Sequence, residues 1–162
     1  MKMFVASMLV TLGVSSAYAQ SAMVDVVLNP MGDFKAKTTQ VKGEATVKGD
    51  EVSAQNIVVN LKSLTTGVEL RDKHTQKHLE TTKFPEAVLV SATGKGGKGT
   101  GKIKIRGVEK EIAGTYKVQG KILSADFKLN LSDFGMTDIN YMGVGVEDTV
   151  TLHVTVPVKA AN

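Results

Sequence analysis

His74 and His78 are the residues whose types and spacing come nearest to metal chemistry. Two histidines four positions apart on a helix present both imidazole rings on one face, and Asp72 stands close by in the sequence. A tetrahedral ion needs further ligands, and the remaining histidine, His153, lies far along the chain. The incomplete set predicts structural contacts and no metal site. A metal or small polar ligand binder built on His74, His78 and Asp72 stays open as an alternative.

Other short motifs match catalytic or cofactor-binding patterns by letter only. Gly94, Gly96 and Gly99 have the spacing of a dinucleotide-binding loop, but a strand pattern follows them where that loop requires a helix. The kinase-like triplet 133–135 stands without a kinase catalytic loop. The sequence contains no G-x-S-x-G nucleophile elbow and no cysteine, which excludes thiolate catalysis. We therefore predict no enzymatic activity and no cofactor, with an esterase as a rival interpretation.

The composition indicates a folded domain rich in strands. Hydrophobic residues make up 42% of the chain and charged residues 22%, unlike the composition of disordered proteins. The net charge is only +4, and the lysines alternate with apolar residues instead of forming a block. Aromatic residues do not interleave with these lysines, so nucleic-acid binding is not expected.

Residues 1–19 have the pattern of a secretory signal peptide. Lys2 precedes an apolar run from Met3 to Val14, and Ala17 and Ala19 occupy the small-residue positions of a cleavage site. The run is shorter than the roughly 20 residues that span a bilayer. We expect cleavage after Ala19, a periplasmic location and one mature domain over residues 20–162.

Strict alternation of apolar and polar residues predicts about eight strands. The Val52–Leu61 segment leaves its inward face ambiguous, because Ile57, Val58 and Val59 are all apolar. The connections are short, so the sheet is expected to be antiparallel and to close as a sandwich or barrel. The candidate strands are Met23–Leu28, Phe34–Thr38, Val41–Lys48, Val52–Leu61, Ala87–Ala92, Thr100–Arg106, Ile112–Val118, Lys121–Leu131 and Val150–Val158.

One helix is predicted from Val68 to Glu80. Thr66 and Glu69 have the spacing of a capping box at its start. The glycine- and lysine-rich segment Gly94–Gly101 is expected to be a mobile hairpin loop, and Gly107–Lys110 a turn between two strands.

Several blocks of the chain together resemble the YceI family of exported lipocalin-like proteins. These blocks are Leu64–His74, Phe84–Ala87, Leu131–Phe134, Tyr141–Asp148 and Val150–Pro157. The resemblance implies an antiparallel eight-stranded lipocalin-like barrel, capped by one short helix, with an apolar lumen that binds isoprenoids or other amphiphilic lipids. Arg71, Asp72 and His74 match the family pattern, and a structural role in capping the barrel is one interpretation of them. The first strands lack the Trp and the His-Ser start of longer members, so the portal and the pocket depth are expected to differ.

Strand parity assigns eight side chains to the lumen. The small residues Gly43, Ala45, Ala87, Gly114 and Ala125 alternate with larger ones and are expected to leave space inside. We also consider that Tyr116 offers its hydroxyl to a ligand head group. The predicted lumen residues are Ile103, Ile105, Tyr116, Leu123, Phe127, Leu129, Leu152 and Val154.

Taken together, the sequence predicts a binding or carrier protein for an isoprenoid or other long-chain amphiphilic lipid. Such a protein is expected to touch membranes transiently. A filled barrel that acts as a structural or stress-response protein is a further alternative, and association into a homodimer is left open.

Overall fold

The computed structural model describes residues 20–161, so the predicted signal segment and its cleavage after Ala19 lie outside the described residues. No helix among residues 20–161 is both long and apolar enough to cross a bilayer. Short 3-10 turns cover Leu61–Ser63 and Leu131–Phe134. The other elements are β1 (Ser21–Asn29), β2 (Asp33–Thr38), β3 (Val41–Lys42), β4 (Ala45–Lys48), β5 (Glu51–Asn60), α1 (Glu69–Leu79), β6 (Glu86–Lys95), β7 (Lys98–Ile105), β8 (Val108–Gln119), β9 (Ile122–Asn130), β10 (Asn140–Tyr141), β11 (Val144–Val146) and β12 (Thr149–Ala160).

Seven strands, β4 to β9 and β12, pair in a closed circuit and form a barrel. The predicted all-β barrel with one helix is confirmed, but the prediction of eight antiparallel strands is wrong. The reason is that β12 changes partner along one edge: Thr151–Thr155 pairs antiparallel with β1, and Val158–Ala160 pairs parallel with β4. Five further strands lie outside the circuit among the described residues, and β1 and β2 add to the wall at one end only. We call this end the open end and the opposite one the closed end.

The ambiguous strand β5 carries a change of side-chain parity at Asn56. Its pairing with β3 and β4 shifts by one residue between the pairs Lys42↔Val58 and Ala45↔Ala54, and Asn56 adopts a left-handed φ of 53°. A bulge of this kind moves the following side chains to the other face. All four side chains therefore face the interior: Val52 and Ala54 do so before the bulge, and Ile57 and Val59 do so after it.

The segment Gly94–Gly101 is ordered strand and not the predicted mobile loop. β6 runs to Lys95 and β7 starts at Lys98, so Gly96 and Gly97 alone form the turn, with φ of 63° and 85°. Two positive φ values are typical of the tight type I′ hairpin. The turn predicted over 107–110 is likewise shorter, because Arg106 and Gly107 close it and Val108 already belongs to β8.

Helix α1 is confirmed with nearly the predicted bounds, but it lacks the predicted capping box. Its N-cap residue is Val68, which makes no side-chain cap. Thr66 instead donates its backbone N–H and its hydroxyl to the Asp72 carboxylate, each over 2.7 Å. Asp72 thus fastens the chain that enters the helix, and a role of the family motif in capping the barrel stays a prediction.

In β9 and β12, the apolar face points toward the barrel interior, as the alternation predicts. Leu123, Phe127 and Leu129 of β9 are buried, and so are Val154 and Val156 of β12. The two strands pair over nine residue pairs, from Thr149↔Asn130 to Pro157↔Ile122. This ladder forms a continuous wall of the barrel interior.

Candidate ligand-binding cavity

The open half of the barrel encloses a cavity of about 600 Å³. Aliphatic and aromatic side chains line its body, and nine of the twelve described strands contribute lining residues. The polar side chains that reach it lie on α1 and at the start of the β10–β11 hairpin, and both segments border the mouth. In the alternative of a filled barrel, side chains would occupy this space. The polar lining residues are Arg71, His74, Thr75, His78, Asn140 and Tyr141.

Six of the eight predicted lumen residues line this cavity. Tyr116 and Leu123 instead line a separate space of about 90 Å³ at the closed end. The Tyr116 ring therefore lies far from the polar mouth and is not placed to meet a head group there. A role of the eight residues in ligand binding stays a prediction. The six at the cavity are Ile103, Ile105, Phe127, Leu129, Leu152 and Val154.

Four apolar side chains separate the two spaces. Ile57, Leu89, Phe127 and Val154 line both the cavity and the closed-end pocket, and we call these four residues the septum. Three of them are buried, with exposed fractions of 3% for Ile57 and 8% each for Phe127 and Val154. The opposite pair residue, Gly114, gives the Phe127 side chain its room, because a Cβ added there would lie 2.7 Å from the Phe127 Cβ.

The polar groups at the mouth include a buried nitrogen that lacks a hydrogen-bond partner, and two of these groups contact aromatic rings. The Nε2 atom of His74 is buried and has no hydrogen-bond partner among the described residues. The His74 ring lies 4.5 Å from the Tyr141 ring, centroid to centroid, at a tilt of 50°. The Arg71 guanidinium lies over the Phe34 ring at 4.6 Å. A buried, unpaired ring nitrogen is costly unless a ligand meets it, so His74 is placed to hydrogen-bond a polar atom at the cavity entrance.

Burial and hydrogen bonds shift the pKa values of two side chains near the mouth, His78 and Asp72. Burial, followed by the nearby His74, Lys77 and Arg106, lowers the pKa of His78, which keeps its imidazole neutral at pH 7. The Thr66 hydroxyl, with further hydrogen bonds from the same loop, lowers the pKa of Asp72 and occupies its carboxylate. Among residues 20–161 no three His, Asp or Glu side chains are arranged so that they could hold one metal ion.

Side-chain hydrogen bonds hold α1 above the cavity, and none of its residues is buried. Gln76 donates to the carbonyl oxygens of Leu61 and Lys62 over 3.0 and 3.2 Å. At the C-terminal end, Arg106 donates to the Glu80 carboxylate over 2.6 Å and to the Phe134 carbonyl over 2.9 Å. The helix is therefore a lid fixed at its edges over a space.

An apolar rim around the mouth is not among the features predicted from the sequence. Met31 and Met142 are 84% and 85% exposed in turns at the open end. Val68, Leu70 and Tyr141 are about half exposed and line the cavity as well. Each methionine precedes a glycine in a turn, where polar residues are the norm, and this is the signal that pattern reading missed. Exposed apolar residues gathered at one opening are typical of interaction sites.

Comparisons with known proteins agree with this architecture. A family model described as YceI-like domain matches residues 16–158. The solved structure of BcnA from Burkholderia cenocepacia superposes with a TM-score of 0.60 at 15% identity, covering 83% of this chain and 96% of that one. A polyisoprenoid binding domain from Saccharophagus degradans, implicated in plant cell wall breakdown, superposes with a TM-score of 0.57 at 12% identity, covering 86% and 93%. No match was found among curated proteins. The two structural likenesses establish a shared fold, and the family match shows that the chain belongs to the YceI-like domain family.

Proposed function

We propose that this protein binds an isoprenoid or other long-chain amphiphilic lipid and carries or sequesters it in the periplasm without catalysis. The apolar tail occupies the cavity, and the polar head stays at the mouth. The observation that carries the proposal is the distribution of polar and apolar residues in the cavity. The cavity has a volume of about 600 Å³ and an apolar body, and its polar groups lie only at the entrance. Its size is within the range of natural ligand pockets. The structural likeness to a polyisoprenoid binding domain supports the same ligand class.

The energetics suit a carrier. Each methylene group buried from water gains about 0.8 kcal/mol. A bilayer offers a lipid tail the same gain, so transfer between the protein and a membrane is nearly balanced. The few polar contacts at the mouth then decide which head groups are retained. His74 and the neutral His78 can hydrogen-bond a hydroxyl or carbonyl oxygen of the head, and Arg71 at the same mouth adds a positive charge.

The test of binding is native mass spectrometry of protein from its own host, followed by solvent extraction and lipid analysis. Leu152→Trp is the matched variant, because Leu152 lines the cavity and a larger side chain there fills space that the tail needs. We expect this variant to retain at least tenfold less lipid, since two or more methylene groups lose their place. Val118→Trp, at a position 39% exposed on β8, is the control and retains lipid normally. A wild-type chain that carries no extractable lipid contradicts the proposal.

Transient membrane contact is the second part of the proposal. Val68, Leu70 and Met142 are exposed and line the cavity, and Met31 is exposed in the turn between β1 and β2, so we infer that a bilayer is the surface that this rim contacts. Met31→Asp with Met142→Asp is expected to slow lipid uptake from phosphatidylglycerol–phosphatidylethanolamine vesicles at least tenfold while the fold is kept. Replacing the exposed Val118 by Asp is the control. Equal uptake by all three proteins would exclude the rim as the membrane-contacting surface. The homodimer stays a prediction.

A further inference from the structure

We propose that the septum limits the length of the tail that the cavity accepts, with Phe127 as the main stop. This inference rests on the proposed lipid-binding function. The tail enters at the polar mouth, so its far end points away from α1 toward the closed end. The four septum residues lie at that boundary and contact both spaces.

The closed-end pocket has the lining of a continued tunnel. Beyond the septum many lining positions are small or aliphatic, among them Ala54, Ala92, Gly101 and Ala125, and the Tyr116 ring also lines this space. The space there is about 90 Å³, against about 600 Å³ in front of the septum. The side chains of the wall thus leave space on both sides of the septum, and the septum residues border both spaces.

Phe127 is held in place by its partner strand. It pairs with Gly114 of β8, where backbone and side chain leave no room for a Cβ. Its side chain is buried at 8% exposure and has no polar atom that a ligand could satisfy. A tail that reaches Phe127 meets a fixed ring, and any longer part of the tail stays outside the cavity. Each methylene group left in water instead of buried lowers the binding constant about fourfold.

The experiment loads purified protein with an equimolar mixture of prenyl alcohols from farnesol to solanesol and measures the retained alcohols after extraction. Phe127→Ala joins the two spaces, and we expect the retained distribution to shift toward tails longer by an isoprene unit or more. Leu89→Ala opens the septum from β6 at a half-buried position and serves where Phe127→Ala folds poorly. The shift in this variant has the same direction.

Two further variants separate tunnel length from general loosening. Val156→Ala enlarges the closed-end pocket behind an intact septum, so its distribution matches that of the wild type. Adding Ala125→Phe to Phe127→Ala refills the closed end and restores the shorter tails. If the wild type retains alcohols and both septum variants keep its distribution, the length limit lies elsewhere and the inference is overturned. If the wild type retains none of the alcohols and no host lipid, the proposed function itself fails.

Discussion

A Cβ added to Gly114 at the closed end would lie 2.3 Å from the Asp126 carbonyl oxygen, but one added to Gly145 at the open end meets nothing closer than 3.9 Å. The closed end consists of paired strands whose glycines let backbones and rings approach closely. The open end consists of a helix and a hairpin around a cavity, held by a few side-chain hydrogen bonds. We therefore expect stability to be concentrated at the closed end, and the open end to adapt its shape more readily around a ligand.

The sharpest test of this contrast is a pair of matched glycine substitutions. Gly114→Ala forces a shift of backbone in β8 or β9, and we expect it to lower the free energy of unfolding by about 3 kcal/mol. Gly145→Ala adds the same methyl group without a close contact, and its cost is expected to stay within about 0.5 kcal/mol. Urea unfolding followed by circular dichroism measures both values. Equal costs would mean that the two ends do not differ in packing.

We expect the hydrogen bonds that hold α1 to contribute less to the free energy of unfolding than the packing at Gly114, and to act only on the open end. Arg106→Met removes the hydrogen bonds to Glu80 and to the Phe134 carbonyl, which together contribute about 2 kcal/mol. We expect faster amide exchange in α1 and faster lipid release, while exchange in β8 and β9 stays the same. Lys73→Met removes only an exposed helix ion pair with Glu69 and is the control, at about 0.3 kcal/mol. Uniformly faster exchange over the whole barrel would argue against a separable lid.

Strand parity predicted the walls of the cavity because β9 and β12 alternate without interruption. Leu129 and Leu152 reach the cavity as expected, and so do Ile103 and Ile105. Parity failed to locate the two ends, because alternation says which face a side chain joins and not how deep it lies. For that reason Tyr116 was placed near the ligand head although it lies at the closed end.

The remaining differences come from long-range pairing. The run 57–59 makes the inward face of β5 ambiguous but does not locate the bulge at Asn56, which is fixed by the register of β5 against β3 and β4. Gly99 and Gly101 were interpreted as loop glycines, but a Cβ at Gly101 would lie 2.5 Å from the Ser91 carbonyl oxygen. Close approach between strands, and not mobility, explains these glycines. Such contacts are set by the fold and are invisible in a single sequence.

The smallest predicted effect concerns the seam between β1 and the closed circuit. On the outer face, His153 of β12 lies between two carboxylates, with Nδ1 2.5 Å from Asp126 and Nε2 2.7 Å from Asp25. The hydrogen bond to Asp126, and then that to Asp25, raises the pKa of His153 above its ordinary 6.5 despite partial burial. Lys35, followed by His153, lowers the pKa of Asp25 below 3.8. The seam is thus a charged triad that joins β1, β12 and β9.

The raised pKa means that the folded protein binds the His153 proton more tightly than the unfolded chain does. Its contribution to stability is complete below pH 6.5 and is lost as the pH rises through the higher folded value. The lowered pKa of Asp25 acts at the other limit, since its contribution is present above pH 3.8 and is lost on acidification. Both groups are partly exposed, so we expect less than about 1 kcal/mol between pH 5.5 and pH 8.5. Amide exchange, corrected for its intrinsic pH dependence, should show β1 and β2 losing protection over this range while β7 and β8 keep theirs. His153→Gln should remove the difference, and a pH response of equal size in all strands would show that the triad does not act on the open-end wall alone.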